Sequence, residues 1–182
     1  MPTKHTRTKI LREANKLFAK RGFEGVSMAD LAIRSGIQKA SLYYFFKNKD
    51  QLYVTTQEHV WQEIVGLLDS VKQKMLTLKR SQQRLLLIDT LERFVSMVRG
   101  AGRGMLDCAD SREHASRHKQ LEPLIATIHQ RLLQIFSIMK LKQPRLACEL
   151  VSLSLHMYVM RSRHHPSHTE PHTFISYMVS IL

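Results

Sequence analysis

Apolar residues recur every three or four positions along almost the whole chain, and this spacing constrains the fold more than any other feature. It places apolar side chains on one face of an α-helix, whereas a half-buried strand needs apolar and polar residues in strict alternation. Alternating runs joined by hairpin dipeptides do not occur in the sequence. The pattern therefore predicts an all-α protein of about nine helices.

Capping residues and glycines divide the periodic segments into individual helices. Gly22 and Gly36 are predicted stops, because glycine adopts a left-handed conformation at low cost. Ser27 with Asp30, and Asn48 with Gln51, have the spacing of capping boxes. The predicted helices cover residues 8–21, 28–34, 38–45, 49–75, 82–99, 104–115, 121–139, 144–161 and 171–182.

Several protein classes are excluded before any motif is considered. No apolar run approaches the roughly 20 residues of a membrane span. The first residues are polar and basic, without the apolar segment of a secretory signal. The two cysteines, Cys108 and Cys148, are too few for a disulfide framework. We expect a soluble intracellular protein.

Positive charge is concentrated near the N-terminus. The chain has a formal net charge of +13, and residues 1–50 contain 11 Lys and Arg against 4 Asp and Glu. Such an excess favours a polyanionic partner, nucleic acid first and an anionic membrane second. The alternative is a generally basic surface that only aids solubility.

Residues 27–49 have the pattern of a helix-turn-helix, in which the second of two short helices enters the major groove of DNA. Gly36 makes the turn, Ala32 is small where the helices cross, and Ile37 and Leu42 anchor the second helix. Ser27 is an N-cap that is suited to a phosphate. The alternative is an ordinary helical hairpin whose exposed aromatic residues serve packing. The positions predicted to face DNA are Gln38, Lys39, Ser41, Tyr43 and Tyr44.

At these residues the sequence resembles the TetR family of bacterial transcriptional regulators. The resemblance lies in segments 27–32, 35–46 and 48–52, together with the pattern from Ala14 to Phe23. It implies a three-helix DNA-binding domain over residues 1–48 and a helical ligand-binding and dimerisation domain over residues 49–182. It also implies a cytoplasmic, nucleoid-associated homodimer that binds a palindromic operator in double-stranded DNA. Such a dimer represses transcription until a small-molecule effector releases it, and no membrane partner is expected.

Carried over by position, Ser27 and Lys49 resemble the family's phosphate contacts, and Lys39, Ala40, Ser41 and Tyr43 occupy its recognition positions. The chain departs from the family pattern at three positions of the second short helix and its start. Ala40 replaces a frequent Gly, Gln38 replaces a common Ser, and Phe45 stands where a His is common. Loss of that His removes a polar DNA contact, so operator affinity or register is expected to differ.

The last two predicted helices are apolar on most of their faces, in a chain too small to bury both completely. A helical bundle between two copies of the chain is the simplest solution. The alternative is that one of these helices is the central core helix of the protein.

Candidate ligand-pocket residues are the large side chains of the middle helices, although each of them could equally be ordinary core. Trp61 is the best candidate because a buried indole N–H needs a partner. Few acidic residues occur in these segments, so an apolar or anionic ligand is favoured. The candidates are Trp61, Phe94, Met97, Met105, His129 and Phe136.

Two features of the sequence raise the possibility of a metal site or an enzyme. The segment 161–172 contains four histidines, but its prolines and irregular spacing favour an exposed basic loop over a metal site. Cys108 and His114 are poorly spaced for a nucleophile and its base on one helix. We therefore expect no enzyme, cofactor or metal. The alternatives to an effector-gated repressor are an architectural or partner-directed DNA-binding protein of the same fold, and a small helical enzyme or metal-binding protein.

Overall fold

A computed structural model of the chain describes residues 4–100, 112–164 and 170–182. Every regular element in these ranges is a helix, which confirms the predicted all-α class. The helices are α1 (Lys4–Arg21), α2 (Met28–Ser35), α3 (Lys39–Phe45), α4 (Lys49–Met75), α5 (Arg80–Gly100), α6 (Arg112–Ile138), α7 (Pro144–His164) and α8 (Pro171–Ser180).

The predicted caps define the ends of the first helices. Gly22 follows α1 with a φ of 72°, in the left-handed region that favours glycine. The amide of Asp30 donates to the Ser27 hydroxyl at 3.1 Å, and the Ser27 amide donates to the Asp30 carboxylate at 3.0 Å. This reciprocal capping box begins α2. At the start of α4 the Gln51 amide donates to the Asn48 side-chain oxygen at 2.8 Å, as its sequence predicts.

Two compact units divide the chain, and α4, α5 and α6 each contribute residues to both. The described part of the first unit comprises residues 4–61, 98–100 and 112–122. Its core contains Ile10, Ala14 and Phe18 of α1, Leu31 of α2 and Leu42 of α3, all almost fully buried. The contact-based division passes through α4 after Trp61, whereas the resemblance puts a domain boundary between residues 48 and 49.

The second unit has its own core. It comprises residues 62–97 and 123–182, with residues 165–169 outside the described ranges. Each of its helices buries one apolar face, including Leu68 of α4, Leu91 of α5 and Ile135 of α6. Tyr158 of α7 stacks on Phe174 of α8 with ring centroids 4.4 Å apart.

The prediction of two separate helices over residues 104–115 and 121–139 is wrong where it can be compared. One helix, α6, runs without interruption from Arg112 to Ile138 and includes Pro123. Residues 116–120 lack apolar periodicity, but Ser, Arg, His, Lys and Gln are all tolerated within a helix. Pro123 is exposed, so its missing N–H leaves no buried orphan carbonyl. Residues 104–111 of the first predicted helix lie outside the described residues.

Candidate nucleic-acid interface

The turn between α2 and α3 has the geometry that its sequence requires. Gly36 has a φ of 70°, and its amide donates to the carbonyl of Ile33 at 3.1 Å. The Ile37 amide donates to the Ala32 carbonyl at 3.0 Å, which closes the turn. Ala32 is buried where the chain doubles back, as predicted. These bonds fix the direction in which α3 leaves α2.

One face of α3 is buried and the other is open to solvent. Leu42 is fully buried, and Ile37 and Phe45 pack against the same core, so α3 is anchored as predicted. Lys39 makes no ion pair within the part of the chain that the structure describes. Tyr44 is 75% exposed, which is unusual for an aromatic residue without a partner molecule. The exposed residues are Gln38, Lys39, Ala40, Ser41, Tyr43 and Tyr44.

An open groove of about 520 Å³ lies beside this exposed face. The loop between α1 and α2 and the first turn of α2 form one wall, and Lys39 and Tyr43 of α3 contribute to another. Lys49, the first residue of α4, also lines the groove. Ser27, helix α3 and Lys49, each of which was predicted to face DNA, thus line the same groove. Its lining residues are Glu24, Gly25, Val26, Ser27, Met28, Ala29, Asp30, Lys39, Tyr43 and Lys49.

Ser27 lies in the groove, but its polar atoms already serve the helix cap. Its hydroxyl donates to the Asp30 carboxylate at 2.6 Å while accepting from the Asp30 amide. Hydrogen bonds from the Ser27 side chain and amide, aided by the charge of Arg21, hold the pKa of the Asp30 carboxyl below its usual value. A phosphate at this point therefore has to compete with an ionised Asp30 for the Ser27 hydroxyl.

Lys49 is held in place by the loop between α1 and α2. Its ammonium group donates to the Phe23 carbonyl at 3.0 Å and lies 4.2 Å from the centroid of the Phe23 ring. The Glu24 carboxylate is 3.8 Å away. Phe23 also packs edge-on against Tyr53 of α4, with centroids 5.1 Å apart. Lys49 thus serves as an anchor of this loop, a role that the sequence analysis did not assign.

Phe45, which stands where the family commonly has a His, packs against its aromatic neighbours. Its ring is partly buried, 5.6 Å from the Tyr44 ring and 6.4 Å from the Phe46 ring between centroids. It contributes to packing at the end of α3. The side chain at position 45 therefore has no polar group, and the neighbouring Tyr44 carries the polar hydroxyl at this end of α3.

The candidate ligand-pocket residues are scattered among different environments. Trp61 is 6% exposed, and its indole N–H has no hydrogen-bond partner among the described residues. Phe136 is fully buried, Phe94 and Met97 are partly buried, and His129 is exposed. Trp61 belongs to the first unit and these four residues to the second. Met105, like Cys108, lies outside the described residues.

The histidine-rich segment is described only in part, since residues 165–169 fall outside the structure's ranges. His172 at its end pairs with Glu92 of α5, with Nδ1 and Oε1 2.5 Å apart. Among the described residues, no three His, Cys, Asp or Glu side chains are grouped as a metal site would need. None of the helices in the described ranges has the length and hydrophobicity to cross a membrane.

Comparison with known proteins points to one family. Residues 10–55 match the family model of bacterial regulatory proteins, tetR family. The negative transcriptional regulator IcaR of the biofilm operon icaADBC of Staphylococcus epidermidis is 33% identical over 60 residues, or 33% of this chain and 32% of IcaR. The transcriptional activator FasR of Mycolicibacterium smegmatis is 33% identical over 86 residues, or 47% of this chain and 37% of FasR. The chain spans about a third of the length of these curated relatives.

Structural similarity extends much further along the chain than sequence similarity. The fatty acid degradation regulator FadR of Bacillus halodurans superimposes with a TM-score of 0.77, covering 98% of this chain and 95% of FadR. Sequence identity over that superposition is 11%, so the match shows a shared fold alone. The two curated relatives are both transcriptional regulators, in agreement with the expectation that the chain is not an enzyme.

Proposed function

We propose that this chain is a dimeric, sequence-specific DNA-binding repressor of the bacterial TetR family, released from its operator by a small molecule. The match of residues 10–55 to that family's model supports the proposal. The observation that carries this proposal is the open face of α3. Six side chains of the helix and its N-cap face solvent above a fully buried Leu42. A helix anchored on one side and polar on the other has the form of a recognition helix.

The chemistry of that face suits the edges of base pairs. Lys39 can donate to the O6 and N7 acceptors of guanine, and the Gln38 amide matches N6 and N7 of adenine. Tyr43 and Tyr44 combine a donor with an apolar ring. Ser27 and Lys49 lie beside α3 at the groove, where we propose that they contact phosphates and fix the register.

An apolar stripe on the outer face of α7 supports dimerisation. Leu146, Leu150, Leu153 and Met157 follow one another at helical spacing and are between 47% and 62% exposed. Tyr177 and Ile181, at and beyond the end of α8, are also largely exposed. A second copy that covers these residues removes a large apolar area from water. The two-fold symmetry of such a dimer then matches a palindromic operator.

Trp61 supports the effector part of the proposal. A buried indole N–H without a protein partner is costly, and a ligand that carries an acceptor removes that cost. We propose an apolar or anionic effector. Trp61 is a candidate contact in the first unit, and Phe94, Met97, His129 and Phe136 are separate candidates in the second. Trp61 is the only tryptophan of the chain, so its emission reports binding directly.

The experiment that tests the DNA-reading role is capture of genomic fragments by the wild-type protein and by Lys39→Ala. The wild type should enrich a small set of fragments that share a sequence. Lys39→Ala should weaken binding to those fragments by roughly 5- to 150-fold, as expected for about 1–3 kcal/mol of lost discrimination at one base pair.

Lys142→Ala is the matched control, because Lys142 is also exposed and has the same charge but lies in the turn before α7. It should bind like the wild type, and circular dichroism should show both variants to be fully helical. Equal retention of all genomic fragments by the wild type would contradict sequence reading. That result would favour the architectural alternative instead.

A further inference from the structure

We infer that α1 supplies a second set of DNA phosphate contacts, through Arg7 and Lys9 at opposite ends of the recognition helix. The inference rests on the proposed function, since it assumes that α3 enters the major groove. It adds residues outside the helix-turn-helix to the DNA-binding surface. The family resemblance assigns no DNA contact to either of them.

The two cations lie beside the residues that bound α3. The Lys9 ammonium nitrogen is 3.5 Å from the position that a Cβ on Gly36 would occupy, in the turn that leads into α3. The Arg7 guanidinium carbon lies 5.3 Å from the centroid of the Phe46 ring, and Phe46 caps the C-terminus of α3. Helix α1 therefore presents one positive charge at each end of the helix proposed to read DNA.

The separation of these two ends fits a duplex. A helix of seven residues such as α3 is about 10 Å long. The major groove of B-DNA is about 12 Å wide, and a phosphate backbone borders it on each side. Cations at the two ends of a helix seated in that groove are therefore well placed to face the two backbones.

Neither cation is neutralised by the residues that the structure describes. Arg7 and Lys9 are exposed, and neither makes an ion pair within the described ranges. The only carboxylate of α1, that of Glu13, is already engaged by Lys16 at 2.8 Å and Arg34 at 3.2 Å. The first turn of α1 contains no acidic residue to offset the positive end of the helix dipole. A bound polyanion relieves this accumulation of positive charge.

The contact with Phe46 leaves Arg7 able to bind phosphate. An aromatic face attracts a guanidinium group through its ring quadrupole and consumes none of its N–H donors. Those donors can form the paired hydrogen bonds that arginine makes with phosphate oxygens. Phe46 itself is buried, so the ring that holds Arg7 is fixed.

The test is the salt dependence of DNA binding by the double variant Arg7→Ala/Lys9→Ala. Binding is measured by fluorescence anisotropy on the best genomic fragment and on a mixed-sequence duplex, from about 50 to 200 mM salt. Loss of two phosphate contacts should reduce the slope of log K against log salt by about 1.8 on both duplexes. The ratio of the two affinities should stay unchanged, because phosphate contacts carry no sequence information.

Two further variants make the outcome decisive. Lys142→Ala/Arg145→Ala removes the same charge from exposed positions around the start of α7 and should keep the wild-type slope. Arg7→Lys/Lys9→Arg keeps both charges at α1 and should restore most of the slope. An unchanged slope in Arg7→Ala/Lys9→Ala, or an equal loss in the Lys142→Ala/Arg145→Ala control, overturns the inference.

Failure of the inference is distinct from failure of the proposed function. If α1 makes no phosphate contact, the wild type still prefers the genomic fragment over the mixed duplex while the slopes of wild type and variant agree. If the protein does not read sequence, the wild type binds both duplexes equally, and the slope on the mixed duplex still tests Arg7 and Lys9.

Discussion

Glu13 shows how one side chain couples the first helix to the helix-turn-helix. It is mostly buried in α1, and its carboxylate reaches Arg34 of α2 at 3.2 Å. A hydrogen bond from Lys16 is the main reason why the pKa of Glu13 is lowered; the charges of Lys16, Arg34 and Arg12 add to it, while burial opposes it. A carboxyl whose pKa is depressed by folding stabilises the protein above its unfolded pKa, and that contribution is lost as the pH falls through the folded value.

Glu13→Gln should therefore lower the free energy of unfolding at pH 7 by about 1 kcal/mol, a modest amount because its cationic partners are largely exposed. The difference from the wild type should shrink as the pH falls from the unfolded pKa, about 4.3, through the lower folded pKa, below which Glu13 is protonated in both states. Urea unfolding at a series of pH values measures this. A difference that stays constant from pH 7 to pH 3 would show that the charge of Glu13 is not what matters.

Gly36 gives a second prediction at this scale. A Cβ there would meet only the flexible Lys9 ammonium at 3.5 Å, so the cost of Gly36→Ala comes from the left-handed backbone and not from a clash. We expect a loss of about 1 kcal/mol in the free energy of unfolding. Gly66→Ala is the matched control: Gly66 lies inside α4 with open space around it, and alanine should stabilise that helix by about 0.5–1 kcal/mol. Similar shifts in both variants would argue against a backbone origin.

At the scale of the element, α7 separates its two apolar faces. Val151, Leu155 and Val159 are buried within the second unit, while Leu150 and Leu153 remain exposed. The sequence of α7 has more apolar residues than one buried face can hold, and the structure identifies which of them stay exposed to solvent. Burial of the exposed stripe by a second copy is the proposal that this arrangement supports.

Leu153→Glu should convert the dimer to a monomer, because a charge placed in an apolar interface has to be desolvated on association. Sedimentation velocity should show roughly half the wild-type mass, with helicity unchanged. Leu85→Glu is the control, since Leu85 is an equally exposed leucine on α5 outside the stripe. Dissociation by Leu85→Glu alone would place the interface on α5.

Elements with strong local signals were predicted well from the sequence. The ends of α2 and α4 follow from caps at Ser27 and Asn48, since these bonds join residues three apart in the chain. The polar start of α6 was misjudged, because residues 116–120 contain no apolar side chains and apolar periodicity therefore gives no helix signal there. The anchoring of Lys49 by Phe23 was also missed: it joins residues 26 apart, and nothing local in the sequence encodes that contact.

At the scale of the whole molecule, the chain is proposed to combine a positively charged DNA-reading surface with an apolar surface for self-association. The excess of positive charge in residues 1–50 now has specific positions: Lys39 on α3, Lys49 at the groove, and Arg7 and Lys9 beside α3. In a dimer this surface occurs twice, and a two-fold axis relates the two recognition helices. A dimeric DNA-binding protein of this kind recognises two half-sites that form an inverted repeat.

The most direct test of that claim is selection of bound duplexes from a random DNA pool at near-physiological salt. We predict enrichment of an inverted repeat whose half-sites are one helical turn, about 10 base pairs, or a multiple of it apart. With Lys39→Ala the repeat should be enriched less strongly, with relaxed preference at one base pair of each half-site. With Leu153→Glu it should be reduced to single half-sites. Binding without any enriched sequence, which vanishes as salt rises, would contradict the account and leave a protein that recognises only the phosphate backbone.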